Sequence, residues 1–262
     1  MFMTRFIVGV KVNPFGINSN RLLSYVMSSI RTALLSNKVR SIKMKKIISR
    51  IAPVMILGMA LSTHAFAEQS VNAAHAHIGH VMTHWNDTPS NHGLLPVAMK
   101  EAEIAAAHAA LAAKSSNDLS AMKLHARHVR HAIDTSYEAS GPGVGYGLIK
   151  AANGAVKHAT IASKSDGASQ AVKTHTDHVV TSLGNSIVRS RMALYAAQGV
   201  LISTSPEQAA PHAAKMAELT QAAIEGADAN GDGTVSWHAH EGGLKVANQH
   251  MSIMMDAEGM KY

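Results

Sequence analysis

The feature that most restricts what this chain can fold into is its punctuation. Long Ala-rich stretches with no sustained apolar-polar alternation are separated by short runs of Ser, Asn, Asp, Gly and Pro. A half-buried strand needs that alternation, and Ala is the strongest helix former, so the pattern predicts helices. The expected segments are 70–85, 94–114, 118–135, 146–163, 168–203, 206–226 and 242–258. Gly184, Asn185 and Gly199 are weak points in the longest of them. Short links favour antiparallel neighbours, so the expected fold class is all-α: an up-down antiparallel helix bundle. A four-helix core would carry additional C-terminal helices around a loop. Aromatic residues make up only 4% of the chain, which argues against a β-sandwich. The glycines from Gly141 to Gly147 precede a helix, where free amides can meet an anion. No strand precedes them and no Gly-Lys-Ser/Thr follows, so the stretch reads as a turn.

Charge divides the chain unevenly. Residues 1–67 hold 10 Lys/Arg and no Asp or Glu, although the whole chain has a formal charge of +7. From Met44 a basic start is followed by an apolar run, 51–61, and then Ala65-Phe66-Ala67. This is the order of a cleavable signal peptide, and the run is too short for a membrane span of about 20 residues. The expected organisation is therefore a non-native or disordered extension at 1–43 and a signal peptide at 44–67. A His-rich bundle would follow at 68–205, then a helix-loop-helix at 206–262 packed on it. A long organelle-type presequence is the rival reading of the first segment. The chain beyond Ala67 is mildly acidic, so its basic pI gives no reason to expect nucleic acid as a partner. A periplasmic location is expected, with no membrane contact in the mature form.

Histidine carries the chemistry. The chain has 17 His, of which 16 follow Ala67, and no Cys. Without Cys there can be no disulfide, thiolate metal site or thiol nucleophile. His77, His80 and His84 are spaced to lie along one helix face. His125, His128 and His131 repeat the step of three, their direction turning about 60° at each step. His175 and His178 form a further pair, expected to act as cross-helix partners of the triplets. Two imidazoles one turn apart can pinch one ion, and imidazole suits Zn, Cu, Ni and Fe. These eight histidines are the expected transition-metal ligands. Single histidines such as His108, His158, His212 and His250 read instead as hydrogen-bonded core or boundary residues. Met251, Met254 and Met255 read as core filler.

Three segments carry a family resemblance: Met99–Ala113, Met122–Ile133 and Ala155–Ala159, with Ala171–His175 and His178 repeating it. Here the sequence resembles the small metal-binding protein family of exported, Cys-free, His-rich helical bundles. The resemblance covers about residues 75–185. It implies a periplasmic four-helix core that binds copper, nickel and other divalent ions. This chain is longer, sparser in His, and carries a C-terminal segment outside that pattern, so a few sites are expected rather than high-capacity storage.

That C-terminal segment resembles an EF-hand loop. Asp228, Asn230, Asp232, Thr234 and Ser236 fall at the ligand positions and Gly233 at the sharp turn. The twelfth position is Ala239, and Glu241 lies two residues later, so Glu241 is the expected closing ligand of a longer calcium loop. An ion-free Asx-rich turn is the alternative, as is recruitment of a transition metal by His238 and His240.

No nucleophile elbow and no singled-out Ser/His/Asp set occurs, so the chain is not expected to be an enzyme. The expected function is sequestration or buffering of divalent transition metal ions (Cu, Ni, Zn), with Ca2+ as a second cofactor. Two alternatives follow from the same residues. One is an envelope structural or interaction protein whose only ion is calcium. The other is an electron carrier holding a non-covalent haem between two histidines.

Overall fold

In a computed structural model, residues 63–261 form an all-α helical bundle of seven helices, with no strands among the described residues. The expected extension 1–43 and the leader up to residue 62 lie outside the described residues. The helices are α1 (Thr63–Met82), α2 (Leu94–Lys114), α3 (Leu119–Ile133), α4 (Leu148–Lys164), α5 (Gln170–Ile202), α6 (Pro206–Glu225) and α7 (Leu244–Ala257). A 3-10 turn, Pro89–Asn91, separates α1 from α2. No helix is long and apolar enough to cross a membrane among the described residues.

Helix ends follow local chemistry. Asp118, Ser169 and Ser205 cap α3, α5 and α6 by accepting the amides of Ala121, Val172 and Gln208. Each cap satisfies an amide that the helix itself leaves unpaired. Pro206 opens α6, where its missing N–H costs nothing. Helix α5 runs unbroken through Gly184 and Gly199. Gly199 is a notch: a Cβ there would run into the His212 ring on α6.

The core is unusually rich in alanine. On α2 the buried residues Ala98, Ala102, Ala105, Ala109 and Ala112 alternate steps of four and three, which keeps them on one face. On α4, Ala152, Ala155, Ala159 and Ala162 do the same. Methyl-sized contacts let neighbouring backbones approach closely. Bulk comes from Met122, Leu183, Met216, Met251, Met254 and Met255, all fully buried. The methionines of α7 are thus core side chains, as their spacing predicts.

Helix α5 is the central support, packed against α3, α4, α6 and α7. Helix α1 packs on α4, and α2 pairs with α3.

Two loops are held by buried charges. The amides of Val144, Tyr146 and Gly147 all donate to the carboxylate of Glu101, which is fully buried on α2. The glycine-rich turn therefore does meet an anion, and the anion is internal. On the other side, Arg189 of α5 donates to the carbonyls of Ala222, His240, Glu241 and Gly242. It clamps the 226–243 loop to the bundle.

Candidate metal centres

Three groups of three histidines have ligand atoms close enough to hold a metal ion. All share one construction: two imidazoles one turn apart on one helix, and one imidazole from a packed neighbour. Group 1 is His77 and His80 of α1 with His158 of α4. Group 2 is His125 and His128 of α3 with His108 of α2. Group 3 is His175 and His178 of α5 with His250 of α7. Within each group the ligand atoms lie within 4.8 Å of one another.

The local sequence explains the placement. Each pair reads His-x-x-His-Val, and Val81, Val129 and Val179 are fully buried. The residue after the first His is buried too: Ile78, Ala126 and Thr176. Buried neighbours on both sides fix the pair at the rim of the core rather than on the open face. Each single His follows a buried alanine by three: Ala105, Ala155 and Ala247. A helical side chain leans over the turn before it, so a small residue there makes room for the ring and for the neighbouring helix.

The close contacts run between Nδ1 atoms. His158 Nδ1 is 2.9 Å from His77 Nδ1 and 3.3 Å from His80 Nδ1. His108 Nδ1 is 3.0 Å from His125 Nδ1 and 3.3 Å from His128 Nδ1. His250 Nδ1 is 3.1 Å from His175 Nδ1 and 3.4 Å from His178 Nδ1. A ring nitrogen has one in-plane hydrogen or one lone pair, never both. The central Nδ1 of each group can therefore make a hydrogen bond with at most one of its two neighbours. Three lone pairs directed at one ion would use all three. In a tetrahedral site with bonds of about 2.0–2.1 Å, ligand nitrogens lie about 3.3–3.4 Å apart; the longer spacing of each group has this value and the shorter, 2.9–3.1 Å, would have to open by a few tenths of an ångström.

Electrostatics favour the ligand form. Burial, then the neighbouring imidazoles, push His158 and His250 down to about 4. His80, His108, His128 and His178 are lowered as well, burial being the largest cause in each. These six rings are neutral at pH 7, so their lone pairs need no deprotonation before binding.

Of the eight histidines singled out by spacing, the structure brings six into the groups. His84 lies beyond the end of α1, where its Nε2 meets the Asn86 side chain and its backbone bridges to His92. The spacing from His80 to His84 therefore does not continue along a helix. His131 has turned away from His125 and His128 into the core. Its Nδ1 meets the Glu138 carbonyl, and its ring fills the space over Gly141. His175 and His178 partner neither triplet but form their own group with His250. His108, His158 and His250, read from sequence as ordinary single histidines, complete all three groups. His212 stays apart against Gly199.

The 228–241 loop folds on itself. Asp228 accepts the amides of Gly231, Asp232 and Gly233, and Asp232 accepts the amide and hydroxyl of Thr234. Asn230 donates to Asp232. Glu241 is buried and turned back to the amide and hydroxyl of Ser236. The carboxylates of Asp228, Asp232 and Glu241 do not converge as the histidine groups do. His238 Nδ1 meets the Ser236 hydroxyl, while the amide of His240 donates to Asn185.

No family model matches the sequence, and no curated protein or solved structure matches the chain at a significant level.

Proposed function

We propose that this protein is a non-catalytic buffer for divalent transition metal ions (Cu, Ni or Zn), exported to the periplasm and holding one ion at each histidine group. The observation that carries the reading is the meeting of three Nδ1 atoms, made the same way on three separate helix pairs. One hydrogen bond accounts for the neighbour at 2.9–3.1 Å in each group, but not for the second nitrogen at 3.3–3.4 Å. The six lowered imidazoles support it further, because a positively charged ring would repel the ion. The reading agrees with the resemblance to the small metal-binding proteins, and it adds His108, His158 and His250 to the ligand set.

Titration of the metal-free protein with Cu(II), Ni(II) or Zn(II), followed by calorimetry at pH 7.5, tests the proposal. Three equivalents should bind, and His108→Gln, His158→Gln and His250→Gln should each remove one. Heats that do not saturate, or a stoichiometry untouched by all three substitutions, would refute it.

The 228–241 loop takes calcium in the same proposal, as a structural ion. The order of its oxygen residues favours this, and Glu241 would have to leave Ser236 to close the site. Calcium should raise the Tm of the wild type, and Asp228→Ala should abolish that rise.

A further inference from the structure

The three groups are alike in ligands but unlike in cover. Trp85 lies with its ring centroid 4.8 Å from His80 and 4.5 Å from His158, so it spans ligands from both helices of group 1. Trp237 stacks on His178 of group 3, with centroids 4.0 Å apart and an angle of 21°. In group 2 the described aromatic contacts are those among its own imidazoles.

Neither indole comes from a ligand-bearing helix, and each is braced. The Trp85 amide donates to Asn91, and its carbonyl accepts from Thr88. Trp237 belongs to the loop that Arg189 clamps, which Asn185 also ties down through the His238 carbonyl and the His240 amide. Both indoles are thus held against the imidazoles by structure outside the groups.

Charge sets group 1 apart from the other two. Lys157 precedes His158 in group 1 and adds a positive charge to it. In group 2 the Glu138 carboxylate acts on His128, and in group 3 Asp177 acts on His178. A dication among three neutral imidazoles needs a fourth ligand, usually water or a carboxylate. An indole packed on the ligand rings leaves less room for that ligand, and a cation within about 6 Å of an indole face is attracted to it. A monovalent d10 ion needs no fourth ligand and brings half the charge.

We infer that Trp85 and Trp237 make groups 1 and 3 selective for monovalent d10 ions, Cu(I) or Ag(I), while group 2 remains an open site for divalent ions. The inference rests on the metal-binding reading and narrows it to a choice of ion at each group. Selectivity is greatest at group 1, where the indole covers two ligands and the neighbouring charge is positive.

The test uses the full chain and Ag(I), a monovalent d10 ion that does not change oxidation state under these conditions. Two equivalents of Ag(I) should bind at least tenfold more tightly than the third, and should resist displacement by Zn(II). Trp85→Leu and Trp237→Leu keep an apolar wall but remove the π face, and each should lower the Ag(I)-over-Zn(II) preference at its own group at least tenfold. Equal preference at all three groups, or a preference unchanged by both substitutions, would overturn the inference. If a variant fails to fold, the wild type still decides. The first two equivalents of Ag(I) must change the indole emission and the third must not; the reverse order overturns the inference. Binding of neither Ag(I) nor Zn(II) at any group would remove the metal-binding reading itself, whereas equal binding removes only the selectivity.

Discussion

Group 2 and its two counterparts use the same three side chains at very different distances along the chain. His108 meets His125 and His128 across 17 and 20 residues, within one helical hairpin. His158 meets His77 and His80 across 81 and 78 residues, and His250 meets His175 and His178 across 75 and 72. An ion in group 2 fastens a hairpin that local chain connectivity already holds together. In the unfolded chain an ion can still be chelated across the short loop of group 2, whereas at group 1 or 3 it would have to close a loop of 72–81 residues at a higher entropic cost, and any binding to the unfolded chain subtracts from the stabilisation. Identical coordination should therefore have unequal effects on stability.

The largest expected effect tests this directly. A ligand present at 100 times its Kd stabilises the fold by ~2.7 kcal/mol per site. Ag(I) at saturating concentration should raise the Tm of the wild type by several degrees. His158→Gln and His250→Gln should each remove more of that rise than His108→Gln. Equal losses from all three would erase the difference between local and distant sites.

Next in size is the contact beneath the single histidines. Ala155→Leu or Ala247→Leu would overpack the helix interface at a cost of about 1–3 kcal/mol, and would push the imidazoles apart. Calorimetry should show one ion fewer for each, alongside the lower Tm. Binding that survives at full stoichiometry would mean that the alanines do not set the approach of the helices.

Acid should act on the metal-free protein as well. His158 and His250 titrate near 4 in the fold but near 6.5 when unfolded. Below pH 6.5 the unfolded chain binds more protons at these two sites, so their contribution to stability falls from about pH 6.5 down to about pH 4. His158→Gln and His250→Gln should flatten that slope, as read from urea midpoints across the range. An unchanged slope in both would place the sensitivity elsewhere.

The smallest effect marks the boundary of the groups. His84→Gln should leave stoichiometry, affinity and Tm unchanged, because His84 sits outside all three.

The same comparison shows what the sequence could disclose. A pair one turn apart is a property of a single helix, so His77/His80, His125/His128 and His175/His178 stand out from spacing alone. The third ligand depends on which helix packs alongside, and spacing within one helix carries no such information. Two signals were nevertheless present. Ala precedes His108, His158 and His250 by three residues, and Val follows the His77/His80, His125/His128 and His175/His178 pairs whereas Ala132 follows His128/His131. In addition, Ala105, His108, Ala109, His125, His128 and Val129 recur fifty positions later as Ala155, His158, Ala159, His175, His178 and Val179. Neither signal is sufficient. Ala209 also precedes His212 by three, yet His212 packs on Gly199. The second copy of the repeat, moreover, does not reproduce the pairing of the first. His158 turns to α1, and His175 and His178 turn to α7. Helix type and the antiparallel hairpin of α2 and α3 were predictable from local chemistry. The assignment of partners was not, because it is settled by the packing of the whole core on α5.

Alanine at the helix contacts also determines how the groups measure an ion. A long, flexible side chain can reach out or draw back to suit different radii. Here short imidazoles are carried on packed helices, each single histidine one turn beyond a buried alanine, so the reach of the side chains is small. The bite of each triad is therefore a calibre set by the backbone, and an ion that needs a wider grip must force apart two packed helices to obtain it.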